Sequence, residues 1–143
     1  KKFEAYETRL QEFNREIQVW MNGYVVCRPT EKEARDYLNY YVREKGDWEA
    51  VDNLTRIIGI QSGVLPPEAI EAHKFHFIAG WAGYPLVGTP EQIVTELEGL
   101  AAAGIAGCLL SWVNYEEELQ QWISEVLPLM EQAGLRKPFQ RAR

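Results

Sequence analysis

Ile17-Gln18-Val19-Trp20-Met21-Asn22-Gly23-Tyr24-Val25-Val26-Cys27 is an uncharged run rich in β-branched and aromatic residues, and its reading decides the fold. It lacks strict apolar and polar alternation, the pattern of a parallel strand covered on both faces. Arg28-Pro29-Thr30-Glu31-Lys32-Glu33 follows. Thr30 with Glu33 three residues on is a capping box: each side chain takes an amide left without a partner in the first turn. A helix therefore starts at about Glu31. It runs to about Glu44, and Gly46 stops it.

Upstream, Phe3, Tyr6 and Leu10 at helical spacing predict a helix over 3–14. Downstream, Asp47 caps a short helix reaching Ile58, and Gly59 to Pro67 is a Gly/Pro-punctuated loop. A helix over Pro67–Ile78 leads into a Gly and aromatic loop, Ala79 to Tyr84, and a very short strand, Pro85-Leu86-Val87. Thr89, Pro90 and Gln92 supply the cap, the first helical position and the closing of a second box. That helix places Ile93, Val94, Leu97, Leu100 and Ala101 on one face, and Gly104 ends it. Ile105 to Trp112 (IAGCLLSW) reads as another fully buried strand. Asn114 caps the last helix, whose stripe is Leu119, Trp122, Ile123, Val126, Leu127 and Met130. Pro128 should kink it near its end, and Gly134 finishes it before a frayed basic tail from Arg136 to Arg143.

Strands alternating with helices mean a parallel sheet with right-handed crossovers. The chain has 143 residues and three strands by this reading. A (β/α)8 barrel takes about 250 residues. Either an open α/β domain or a piece of a barrel remains.

The formal charge of −6, with both signs interspersed, argues against a nucleic-acid partner. No apolar run approaches the roughly 20 residues of a membrane span, so no membrane is expected either. Lys1-Lys2-Phe3-Glu4 lacks the apolar core of a secretory leader, and lacks Met, as at a processing boundary. Cys27 and Cys108 lie in apolar runs without metal-like spacing, and reduced thiols in a cytoplasmic protein are expected. His73 and His76 stand one helical turn apart with no third ligand at suitable spacing, so no metal site is expected.

Two stretches resemble the bacterial luciferase-like flavin-dependent monooxygenases. One is Gly80-Trp81-Ala82-Gly83-Tyr84-Pro85-Leu86-Val87-Gly88-Thr89-Pro90-Glu91-Gln92, continuing through Gly104-Ile105-Ala106-Gly107, Leu110-Ser111-Trp112 and Glu125 to Leu129. The other is Asn22 to Thr30, with Gly46 to Asn53 behind it. Together, in order and over about Ile17–Arg136, they look like barrel strands six, seven and eight with their helices. The resemblance implies an α/β fold that is the C-terminal portion of a (β/α)8 TIM barrel, not a complete barrel, with 1–143 a single partial domain. It further implies an enzyme using reduced FMN, delivered by a separate flavin reductase, to activate dioxygen and oxygenate a small molecule. Most of the flavin site in such barrels comes from earlier strands.

Catalytic groups in such barrels lie at strand C-termini and in the following loops. Trp20, Asn22, Tyr24 and Val26 share a face, and Asn22 and Tyr24 are its polar members. Buried, they must find partners: either they bond to neighbouring strands, or they face substrate as catalytic residues. The resemblance favours catalysis, since the matching positions in alkanesulfonate enzymes carry Arg and His. Here neither is charged, and Ala79 and Val113 replace an Arg and a Tyr of that subgroup. A desolvated sulfonate needs fixed positive charge, so an uncharged sulfone- or heterocycle-like substrate fits better. Trp81 and Tyr84 flank two glycines and read either as a substrate-binding lid or as a packed turn. Ser111 and Trp112 end the last strand and are candidates for the substrate pocket floor. Thr89 reads as a cap, and Arg28 as the partner of a surface acid.

The rival is a non-catalytic α/β binding or assembly module. Local helices are expected on the outward face alone, leaving Trp20, Val26, Leu109 or Leu110 near water and making a homo-oligomer the simplest closed state.

Overall fold

The computed structural model describes residues 13–59 and 66–139, together with Leu10. The helix predicted over 3–14 and most of the loop Gly59 to Pro67 lie outside the described residues. The elements are β1 (Val19–Cys27), α1 (Glu31–Asn39) continued by a π-helical turn (Tyr40–Glu44), α2 (Trp48–Ile57), α3 (Pro67–Gly80), β2 (Tyr84–Gly88), α4 (Pro90–Ala102), β3 (Ile105–Ser111) and α5 (Tyr115–Gln121). A second π-helical turn (Trp122–Val126) leads into α6 (Leu127–Gln132).

The predicted caps are all present. Thr30 Oγ1 accepts from Glu33 N at 3.2 Å, but the Glu33 carboxylate takes the Thr30 hydroxyl proton instead of closing the box on its amide. Asp47 accepts from Ala50 N at 2.8 Å. Thr89 and Gln92 close a full box, with Pro90 in the first turn. Asn114 accepts from Glu116 N and Glu117 N. The stops at Gly104 (φ 93) and Gly134 (φ 73) require the left-handed region that glycine enters freely. Pro128 has no amide to give, and the last helix widens into the π turn just before it.

The sheet is parallel, in the order β2-β1-β3. Barrel strands lie side by side in chain order; here β1, the longest and most buried strand, takes the centre. β2 pairs with Gly23 to Cys27 of β1, and β3 with Val19 to Tyr24.

Alternation along β1 sends its side chains to two cores. Val25 and Cys27 pack with Leu86, Ile93, Trp122 and Val126 beneath α4 and the second π turn. Tyr24 and Val26 pack with Ala34, Val42 and Ala79 beneath α1, the first π turn and α3. Val26 is therefore fully buried, not near water as expected, because α3 carries Phe75, Ile78 and Ala79 across that face. Trp20 and Leu109 do stand near water, 56% and 64% exposed, whereas Leu110 is half-buried against the core with Val25 and Leu86. β3 is correspondingly not the fully buried strand predicted, since nothing described covers its Asn22-side face; it runs from half-buried to exposed. Trp20 closes part of that gap, its indole lying where a Cβ on Gly107 would come within 2.7 Å.

Candidate active site

The stagger of the strands gathers the candidate residues. Gly23 is paired with Tyr84 on one side and Leu110 on the other, and Tyr24 with Pro85 and Ser111. Asn22, Tyr24, Tyr84 and Ser111 thus stand near one level of the sheet. Alternation then separates them. Asn22, Tyr24 and Ser111 project from one face. Tyr84 projects from the other, where its hydroxyl donates to Glu96 of α4, a bond that pushes its own pKa up. Trp112, one residue beyond β3, also turns to that second face, its indole edge-on to Tyr115 and Trp122 at 5.5 and 5.6 Å. Among the described residues its buried Nε1 has no hydrogen-bond partner.

Asn22 is exposed, and Ser111 is half-buried with Oγ 3.4 Å from the Gly23 carbonyl, to which it donates. Tyr24 is 1% exposed, and its hydroxyl lies 2.9 Å from Nδ1 of His76 on α3. Burial pushes the Tyr24 phenol up to about 12, and burial also lowers His76, helped by the nearby charge of His73. Both rings are therefore neutral near pH 7. His76 was missed as a site residue because its partner stands 52 positions away in the chain.

The turn between α3 and β2 holds Trp81. The sequence reading began this loop at Ala79, but Ala79 and Gly80 complete α3, whose end is fixed by Trp81 N to the Phe77 carbonyl at 3.0 Å and Ala82 N to that of His76 at 2.9 Å. Trp81 (φ 54) and Ala82 (φ 53) both take left-handed backbone, which costs non-glycine residues about 1–3 kcal/mol each. Both glycines are needed for close approach: a Cβ on Gly80 would stand 2.4 Å from Tyr24 Cβ, and one on Gly83 3.2 Å from Gly23 Cα and 3.3 Å from Asn22 Nδ2. Trp81 itself is 73% exposed.

Two cations near the strand C-termini are committed. Arg28 meets buried Glu118 at 2.8 Å, donates to the Cys27 carbonyl at 2.6 Å and lies 3.9 Å over the Tyr37 ring. The acid predicted for Arg28 is thus present, though inside the fold and not on its surface. Arg35 pairs with Glu31 at 2.7 Å. The amide at the start of α4 that could meet an anion is taken by Gln92. A flavin phosphate therefore finds no free cradle among these residues. Cys27 and Cys108 are both free, and burial pushes Cys27 up to about 11, an inert thiol. No described helix is long and apolar enough to cross a membrane.

Comparison with known proteins bears on this arrangement. No family model matches the chain. The FMNH2-dependent dimethylsulfone monooxygenases of Pseudomonas fluorescens (strain Pf0-1) and Pseudomonas putida are each 28% identical over 120 residues, 80% of this chain and 32% of their own length. The chain resembles part of a reduced-flavin monooxygenase. A sulfoquinovose monooxygenase of Agrobacterium fabrum is 28% identical over 153 aligned positions, 96% of this chain and 39% of its own. The chain thus spans about a third of the curated relatives it matches. Among solved structures, a riboflavin lyase crystallised with modified FMN and riboflavin superposes with a TM-score of 0.73 and a long-chain alkane monooxygenase with 0.70. Each is 19% identical, over 97% of this chain and 37% and 35% of the other chain. That likeness speaks to the fold: α/β, a portion of a (β/α)8 barrel, as the sequence resemblance implied.

Proposed function

We propose that this chain is the C-terminal portion, a single partial domain, of a reduced-FMN-dependent monooxygenase that oxygenates a small uncharged molecule, sulfone- or heterocycle-like, with dioxygen. The observation that carries the reading is agreement between independent likenesses. FMNH2-dependent relatives match 80% of the chain, and solved structures superpose over 97% of it, which supports the partial-barrel fold. The flavin would be held mostly outside this chain and supplied in reduced form by a separate reductase, in the cytoplasm, with the parent a homo-oligomer. Asn22 and Tyr24 are the groups we assign to catalysis. Ser111 shares their face of the sheet and Trp81 stands exposed at the turn after α3, while Tyr84 and Trp112, the other two candidates for substrate contact, lie on the opposite face. The uncharged substrate class is supported by the site's chemistry: Asn22, Tyr24 and Ser111 bring no charge, and Arg28 and Arg35 are paired.

The test is the longer polypeptide containing this chain, given FMN, a NADH-driven flavin reductase and oxygen. Dimethyl sulfone, a neutral pyrimidine and methanesulfonate are the substrates. Substrate-dependent oxygenation of a neutral compound is expected. Turnover of methanesulfonate alone would overturn the substrate class, and no flavin-dependent oxygenation at all would overturn the enzyme.

A further inference from the structure

We propose that His76 is a ligand-binding residue, the hydrogen-bond donor of a groove on this chain that takes a small uncharged ring bearing an acceptor oxygen. This rests on the oxygenase reading, with which the groove shares Tyr24. The groove, about 380 Å3, lies between α1, α3 and the open edge of β2, with Tyr24 and His76 among its lining residues and Phe75 and Leu38 as apolar walls. Its volume is that of a small-molecule site.

The donor follows from proton bookkeeping. A phenol O–H is a better acid than a neutral imidazole N–H, and an imidazole nitrogen is a better base than a phenol oxygen. At 2.9 Å the bond therefore runs from Tyr24 Oη to His76 Nδ1. The ring proton then sits on Nε2, and no described residue accepts from it. The other polar side chains of the groove have partners within α1 and its continuation. Arg35 holds Glu31 at 2.7 Å. The Asn39 amide donates to the Arg35 carbonyl at 2.9 Å, and its Oδ1 accepts from Arg43 at 3.3 Å. One neutral donor between apolar walls selects an uncharged acceptor. The Glu31 carboxylate beside Arg35 offsets the attraction an anion would find there.

The experiment uses this chain, with long-range 1H–15N spectra assigning the tautomer of each histidine at neutral pH. Benzamide and benzoate, alike in shape and different in charge, are then titrated in. His76 should be the Nε2–H tautomer, and the Tyr24→Phe variant should shift its Nδ1 resonance. Benzamide should bind in the millimolar range, perturb Phe75 and His76, and weaken about tenfold in His76→Gln and His76→Phe. The wild-type tautomer needs no variant, so a misfolded substitution leaves the test standing. An Nδ1–H tautomer, no benzamide binding, binding indifferent to His76, or a preference for benzoate would each overturn the proposal. Because no flavin or turnover is involved, failure here is separable from failure of the oxygenase reading.

Discussion

Tyr24→Phe removes one oxygen from a side chain that is otherwise core, and Asn22→Ala removes an amide from an exposed edge of the same face. In the longer protein both should lower turnover with the fold intact. Losing an oxyanion-type donor typically costs about 10²–10³ in rate. Here roughly tenfold to a hundredfold is expected, read from steady-state kinetics beside circular dichroism, and unchanged kinetics in both variants would return these residues to structure. His76 sets a pH dependence of stability. Its pKa is lowered in the fold from 6.5, so unfolding takes up a proton and acid favours it. The stabilisation is whole above about pH 6.5 and is lost as pH falls through the lowered folded value. The titratable groups against the ring are His73 on its own helix and Tyr24 from β1, and Arg35 from α1 lines the same groove. Urea midpoints across this range should fall more steeply in the wild type than in His76→Gln. At this scale the sequence exposes Asn22 and Tyr24, because polar residues inside an apolar strand are conspicuous. It hides His76, whose meaning depends on a strand far away in the chain, and it hides Glu118, which looks like one member of a solvated acidic run.

The α3–β2 connection gives two substitutions opposite signs. Gly80→Ala forces a methyl to within 2.4 Å of Tyr24 Cβ. Overpacking of this kind costs about 1–3 kcal/mol. Ala82→Gly relieves a left-handed backbone and should add about 1 kcal/mol. Chemical denaturation of both variants checks the pair, and equal midpoints would show that the turn yields without cost. The elements were legible wherever a cap announces them, since Thr30, Asp47, Thr89 and Asn114 act on amides within their own first turns. The π turns and the burial of β3 were not, because both depend on what packs across the element.

As a whole, the chain should hold no FMN by itself, since Arg28 and Arg35 near the strand ends are paired with Glu118 and Glu31 and the Thr89 amide at the start of α4 is capped by Gln92. Titration with oxidised and reduced FMN checks this, and micromolar binding would overturn it. It should also self-associate. Among the described residues no strand pairs with the outer edges of β2 and β3, and Trp20 of β1 and Leu109 of β3 stand exposed. Covering several hundred Å² of such surface returns on the order of 10 kcal/mol before association is charged. Sedimentation equilibrium decides it, and a 16.5 kDa monomer across the concentration range would count against it. The partial-barrel class was legible from βα alternation against length. The strand order was not: the sequence states which segments are strands, while neighbours depend on which strands are present.

The central place of β1 also governs how the chain gets to its fold. β2 and β3 never pair with each other, so every sheet bond waits for β1, and the shortest loop any ladder closes runs from Gly23 to Tyr84. Long loops close late and long-range pairing is slow. The helices, with caps of their own, can form first. During that interval the run from Val19 to Cys27 is an apolar strand without neighbours on either side, and it is then that a growing or refolding chain is most open to capture by another copy of itself.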